Sequence, residues 1–292
     1  MNNNNIYSDG VIEDEIINCL KENKNPMMED TLKNTGAVFH NFSSARNGLI
    51  DWYDFREDAE VIELGAGMGA LTGILCNKCK SVVSVEGSEK RAEIIKLRYK
   101  NKRNLEVISS DIYDLPEDRK FDYVLLVGVL EYAGVDDTKK KPHIEMLKKV
   151  KRLLKSNGIA LIAIENRFGV KYWSGAAEDH TGVPFDGVLG YHKGGRTERY
   201  QKAGVETFSK ESLTEILNES GFDNKRFYYP LPDYKFPIMI FSDTYLPTEE
   251  NIRGIKFHYS DESTIIFDEK ELYGEIIRNN VFPFFANSFL YS

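Results

Sequence analysis

The stretch ENRFGVKYWSGAAEDHTGVPFDG, Glu165 to Gly187, gathers carboxylates, a histidine, aromatic rings and glycines with no helical or strand period. A long connection of this kind inside a compact domain is usually functional, and its aromatic content argues against plain disorder. Glu178, Asp179 and His180 could together move a proton. A histidine is neutral near physiological pH, and an adjacent carboxylate can orient its ring. We therefore read His180 as a candidate base, with Asp179 and Glu178 beside it. Asn166, Tyr172 and Trp173 offer hydrogen bonds and aromatic faces to a sugar or another ring-bearing ligand. Farther on, His192, Lys193 and Arg196 flank Gly194-Gly195, whose freed backbone N–H groups suit a phosphate-bearing ligand. No metal site is read, because Glu178, Asp179, His180 and His192 contain no helix-spaced pair.

A second chemical signal lies upstream in VIELGAGMGAL. Its glycines fall where a strand meets a helix, so the backbone can approach a ligand and the helix start presents free N–H groups. Gly65, Gly67 and Ala70 also satisfy the GxGxxA spacing, and the turn alone does not separate a nicotinamide cofactor from S-adenosylmethionine. Glu86, followed by Gly87, ends the next apolar run at the distance where an acid accepts both ribose hydroxyls. Ser110-Asp111-Ile112 follows the third run and places a carboxylate and an apolar side chain where an adenine could be held. Glu63 stands two residues before the first glycine, where it could engage an ammonium group directly or through water.

The elements that must position these residues alternate strictly from Glu60 onward: EVIEL, ALTGILCNK, SVVSVE, SEKRAEIIKLRYK, LEVISS, FDYVLLVGVL, HIEMLKKVKRLLK, GIALIAI. Strand and helix in alternation imply right-handed crossovers and a parallel sheet covered by helices, a doubly wound α/β core. The fourth and fifth apolar runs read as strands buried on both faces, and the mixed third run as closer to an edge. Asn157-Gly158 reads as the end of the helix before the fifth strand. A capped helix, SKESLTEILNESGF, is followed by KRFYYPLP and FPIMIFSD, a hairpin-like pair about Pro232-Asp233. Val11 to Glu22 and Ser43 to Phe55 show helical spacing ahead of the core. After Asn251 the pattern suggests a strand, a helix and a buried aromatic end.

The 292 residues are 41% hydrophobic, enough for one large domain with an appendage. A formal charge of −8 disfavours a broad footprint on nucleic acid. No apolar run reaches membrane-spanning length, and MNNNNIYSDG has neither part of a signal peptide. Cys19, Cys76 and Cys79 are an odd set with no second pair to complete a zinc site, and read as reduced thiols of a cytoplasmic protein.

Taken together, the turn, Glu86, Asp111 and the terminal hairpin resemble the Rossmann-like S-adenosylmethionine-dependent methyltransferases, over roughly Thr35 to Asp243. The resemblance implies a mostly parallel seven-stranded sheet with an antiparallel end. It implies S-adenosylmethionine as cofactor and S-adenosylhomocysteine as product. Glu63, Gly65, Ala66, Gly67 and Gly69 would bind the methionine part, Glu86 the ribose and Asp111 the adenine, and Gly128, Val129 and Leu130 would line the methyl donor. More narrowly, AIENRFGVKYWSGAAEDHTGVPFDG with FYYPLPDYKFP and FSDTYLP looks like a subgroup found beside or fused to bacterial glycosyltransferases of surface-polysaccharide synthesis. That implies O-methylation of a glycan or small-molecule acceptor and a glycosyltransferase domain or protein as partner. In HNFSSARNGLIDWYDF the same subgroup implies Ser43 and Arg46 at the cofactor's carboxylate, although Ser44 stands where the subgroup usually has proline. The organisation then reads as a tail and helix over 1–34, a methyltransferase domain over 35–245 with a substrate lid at 166–205, and a C-terminal α+β appendage over 246–292 cut from a longer chain. Two other readings stay open: an NAD-type Rossmann oxidoreductase, and a non-catalytic methyltransferase-like module of a glycosyltransferase.

Overall fold

The apolar runs that alternate with amphipathic segments become strands and helices in the same order. The computed structural model describes residues 10–135, 140–191, 204–223, 226–253, 255 and 266–292. Helices α1 (Val11–Lys21) and α2 (Gly36–Phe42) precede β1 (Glu60–Leu64), α3 (Thr72–Lys78), β2 (Ser81–Glu86), α4 (Glu89–Arg98), β3 (Leu105–Ser109) and β4 (Phe121–Val127). Then come α5 (Pro142–Leu153), β5 (Leu154–Glu165), α6 (Val170–Trp173), α7 (Lys210–Glu219), β6 (Phe227–Leu231) and β7 (Met239–Ser242). Helices α8 (Glu249–Ile252), α9 (Glu269–Arg278) and α10 (Phe282–Phe285) lead to β8 (Ser288–Tyr291). The chain divides into two compact units, one running to Val127 with Arg152–Leu161 added, the other made of Gly128–Lys151 and Ile162–Ser292. No helix among the described residues is long and apolar enough to cross a membrane.

In the first unit β3, β2, β1 and β4 lie side by side and all run parallel. β1 is buried from Val61 to Leu64 and β2 from Val82 to Glu86, while β3 is mixed as its sequence suggests. Register sets Glu63 opposite Ser84 on β2 and Leu125 on β4. Helix α1 packs on α4 through Ile16, Ile17 and Ile94, with Val38 and Met68 in the same cluster. Each such buried side chain contributes about 1.5–3 kcal/mol relative to exposure. Glu13 of α1, 1% exposed, is answered by Arg91 of α4 at 2.9 Å. Helix α5 stops at Leu153, four residues before the expected Asn157-Gly158 stop. The difference has a local cause: Lys155, already in β5, is drawn into ion pairs with Glu60 at 2.9 Å and Asp122 at 2.8 Å.

In the second unit the end of β5 pairs antiparallel with β8, β8 with β6, and β6 with β7. The expected hairpin is β6–β7. Beyond it, the described residues hold eight strands rather than seven, because Ser288–Tyr291, from the segment read as an appendage, forms a wholly buried strand. Phe289, Leu290 and Tyr291 put apolar side chains on both faces, as a strand buried on both faces should.

Candidate active site

In the first unit the turn after β1 takes the backbone shape its glycines allow. Gly65, Gly67 and Gly69 all have left-handed φ, at 68°, 58° and 80°, where a side chain is strained. At Gly69 a Cβ would also meet Tyr99 Cε2 at 2.9 Å. The Ala66 N–H is bonded to Val85 O, and the Glu86 carboxylate accepts from Gly67 N at 2.8 Å and Ser88 N at 2.9 Å. Burial raises the pKa of Glu86. Gly87 beside it is exposed. Glu63 is turned inward, accepting from Thr72 Oγ1 at 2.5 Å and Ser84 Oγ at 2.9 Å. Desolvation lifts its pKa to about 7, against the pull of those hydroxyls. Asp111 is exposed and caps the short turn after β3 through Tyr113 N, with Ser110 and the half-buried Ile112 on either side. Ser43 caps the turn that holds the buried Arg46. It also lines a cavity of about 500 Å³ with Asn47, Ala70, Gly73, Arg98 and Tyr99. None of Glu63, Gly65, Gly67, Glu86 and Asp111 lines that cavity.

In the second unit Gly128 has φ 67°, and a Cβ there would fall 2.7 Å from the Tyr234 hydroxyl. Val129, Leu130 and Glu131 follow, with Leu130 and Glu131 buried. The loop after β5 folds into a network of charges. His180, its side chain 6% exposed, faces Glu178 Oε1 through Nδ1 at 2.9 Å and Glu131 Oε1 through Nε2 at 3.6 Å. Glu178 also accepts from the backbone N–H groups of His180 and Thr181 and from the Tyr191 hydroxyl. Asp179 accepts from Lys171 at 2.7 Å, Lys235 at 2.9 Å and the Tyr172 hydroxyl at 3.2 Å. Lys235 reaches Glu165 Oε1 as well, at 2.7 Å. Burial opposes charge on His180, yet Glu131, Glu178 and Glu165 lift its pKa to about 10. Burial likewise opposes the Asp179 carboxylate, and the two lysines still hold its pKa well below the ordinary range.

The structure therefore revises several expectations. Of the two carboxylates read beside His180, Glu178 is the one that reaches the ring, and three surrounding carboxylates hold that ring charged rather than neutral. Asn166 does not face a ligand: it is fully buried and ties the loop to the segment after α9 through Phe284 O and Ala286 O. Tyr172, 1% exposed, presents no open face. Trp173 does, at 38% exposure, with its Nε1 donating to Phe168 O. His192, Lys193 and Arg196 lie outside the described residues. Glu165, Lys171 and Lys235 were not singled out from sequence. The signal for Glu165 was there: an acid ending an otherwise apolar buried strand has to be answered by something.

Residues 62–162 match the family model described as "Methyltransferase domain". The ubiquinone biosynthesis O-methyltransferase of Pelagibacter ubique is 29% identical over 112 residues, 38% of this chain and 44% of that protein. The ribosomal RNA small subunit methyltransferase A of Mycoplasma capricolum is 35% identical over 97 residues, 33% of this chain and 34% of that protein. The chain thus spans under half the length of these curated relatives. A chain of the complex between the Haloferax volcanii Trm112 methyltransferase activator and a methyltransferase has 16% identity and a TM-score of 0.48, with 95% of this chain and 96% of that one covered. Of the residues read as binding a cofactor, all but Ser43 and Arg46 fall inside the stretch that matches the methyltransferase domain.

Proposed function

We propose that the protein is an S-adenosylmethionine-dependent methyltransferase that methylates an oxygen of a carbohydrate-type or small-molecule acceptor. The observation that carries this reading is the turn after β1. Three left-handed glycines open the backbone, and the acid ending β2 is already bonded to the turn at Gly67. The family match over 62–162 favours S-adenosylmethionine over NAD for that turn. Glu86 would exchange its bonds to the turn for the ribose hydroxyls, Asp111 would meet the adenine, and Gly128 to Leu130 would border the sulfonium.

Methyl transfer is an in-line displacement. The acceptor oxygen attacks the methyl carbon, the carbon–sulfur bond breaks to leave S-adenosylhomocysteine, and the hydroxyl proton must be removed. The cluster of Glu131, Glu178 and His180 would handle that proton, and Trp173 would offer its exposed face to a sugar ring. The oxygen acceptor rests on the loop's resemblance to the glycosyltransferase-associated subgroup, as do a glycosyltransferase partner and a role in surface-polysaccharide synthesis, whereas a cytoplasmic location rests on the reading of the three cysteines as reduced thiols. Relatives named for ribosomal RNA raise a second acceptor class, which the net charge of −8 disfavours.

The test is calorimetric titration of S-adenosylhomocysteine, with NAD in parallel and Asp111→Ala as control. Micromolar binding that weakens at least tenfold in the variant is the expected result. A preference for NAD, or no binding of either, would overturn the reading in favour of an oxidoreductase or a non-catalytic module.

A further inference from the structure

Glu131, Glu165 and His180 each aim one ligand atom into a common space, and those atoms lie within 4.8 Å of one another. Glu131 and Glu165 are 1% and 0% exposed. Among the described residues, no hydrogen-bond donor reaches Glu131 Oε2 or Glu165 Oε2. A buried carboxylate oxygen without a donor is costly, and buried carboxylates are normally paired or bound to a cation. Among the described residues, the carboxylates of the printed ion pairs here outnumber the cations. Five carboxylates (Glu131, Glu165, Glu178, Asp179, Asp233) face the two ammonium groups of Lys171 and Lys235 and one imidazole.

The geometry points to a divalent-cation site formed by Glu131, Glu165 and His180, taking a first-row ion such as Mn²⁺ or Zn²⁺. Two carboxylates with one imidazole form a mixed oxygen and nitrogen set, which suits those ions better than Ca²⁺ or Mg²⁺. The outer partner is also in place. Glu178 Oε1 lies 2.9 Å from His180 Nδ1 and accepts its N–H, so an entering cation would displace only the Nε2 proton of the charged ring, with Glu178 in the place found behind metal-bound histidines. Glu178 is itself pinned by two backbone N–H groups and Tyr191. Ligands about 2.1 Å from an ion sit roughly 3.4 Å apart in a tetrahedral set, so closure requires inward movement of about 1 Å. Three protein ligands leave coordination positions open for a substrate oxygen. In the methyltransferase reading, on which only this role rests, the ion would hold the acceptor's hydroxyl and ease loss of its proton. Glu131 follows Gly128–Leu130 directly in the chain, the residues assigned there to border the methyl donor.

The experiment uses the full chain, stripped with a chelator and titrated with Mn²⁺ while the free-ion paramagnetic signal is followed; Zn²⁺ and Mg²⁺ serve as parallel arms. One Mn²⁺ or Zn²⁺ per chain is expected, with Mg²⁺ weaker. Glu131→Gln should lower affinity at least 100-fold and Glu178→Gln about 10–100-fold. Lys235→Met, which frees Glu165 Oε1, should tighten Mn²⁺ binding about tenfold. Absence of stoichiometric binding of any of the three ions to the wild-type chain would overturn the proposal, whatever the variants do. Unchanged affinity in folded Glu131→Gln would overturn it too. S-adenosylhomocysteine titrated into the same stripped protein separates the two readings. Its binding without any cation binding rejects only the cation site, and Mn²⁺ binding without it supports the site while rejecting the methyltransferase.

Discussion

Glu63 and Glu165 are both acids near the carboxyl end of a buried strand, 5% and 0% exposed, and they are accommodated in opposite ways. Glu63 receives two hydroxyl hydrogen bonds, from Thr72 and Ser84. Neutral donors satisfy a protonated or an ionised carboxyl, so desolvation decides and the pKa rises to about 7. Glu165 instead joins charges of both signs, with Lys235 at 2.7 Å and, through Lys235, Asp179 and Lys171. There, removing any one charge exposes its partners to the cost of burial. A buried acid held by hydroxyls is thus tolerant of change, whereas one held by ions depends on its whole network.

Substitutions can break that contrast or sharpen it. The largest effect is expected from Lys171→Met, which deletes a 2%-exposed ammonium and leaves Asp179 and Asp233 under-compensated. A loss of about 3–5 kcal/mol in urea unfolding follows if the network is interdependent. A loss below about 1 kcal/mol would erase the contrast. Glu63→Gln should act in the opposite direction. An acid whose folded pKa is raised costs nothing below its ordinary 4.5, costs more as pH climbs, and carries its full penalty above about 7. The variant should match wild type at pH 4.5 and exceed it by about 2–3 kcal/mol at pH 8, measured as urea midpoints. Parallel pH profiles would show that the hydroxyls keep Glu63 ionised after all. Gly128→Ala tests whether the network tolerates a steric change, since its Cβ would press on Tyr234, the neighbour of Lys235 in sequence. A loss of about 1–3 kcal/mol is expected from strain at φ 67°. Smallest is Trp173→Ala, outside the ion network: stability should move by about 0.5 kcal/mol, while acceptor KM rises and kcat holds.

The first unit was the more legible in sequence. Its strands are short apolar runs, its turn needs glycine at Gly65, Gly67 and Gly69, and its end-of-strand acids Glu86 and Asp111 follow at standard spacing, so local pattern carries most of the information. In the second unit the chemistry of the loop was visible and its wiring was not. Asp179 is drawn away from His180 by Lys171 and by Lys235, more than fifty residues downstream, and sequence adjacency alone could not choose between Glu178 and Asp179. Asn166 and Tyr172 looked like ligand contacts because polar and aromatic types in a glycine-rich loop usually are, yet both serve to bury the loop against α10 and the lysines. β8 was missed as a sheet member because no periodicity in SFLY distinguishes a central strand from an apolar tail.

The placement of β8 bears on how the protein is made. β8 binds β5 along one edge and β6 along the other, although about 125 residues of chain separate it from β5, the long-range pairing that slows folding. During synthesis β5 and β6 leave the ribosome well before the strand that joins them. Each then carries an open, apolar hydrogen-bonding edge until residue 291 is free, a window in which a chaperone would gain and a neighbouring nascent chain could pair wrongly.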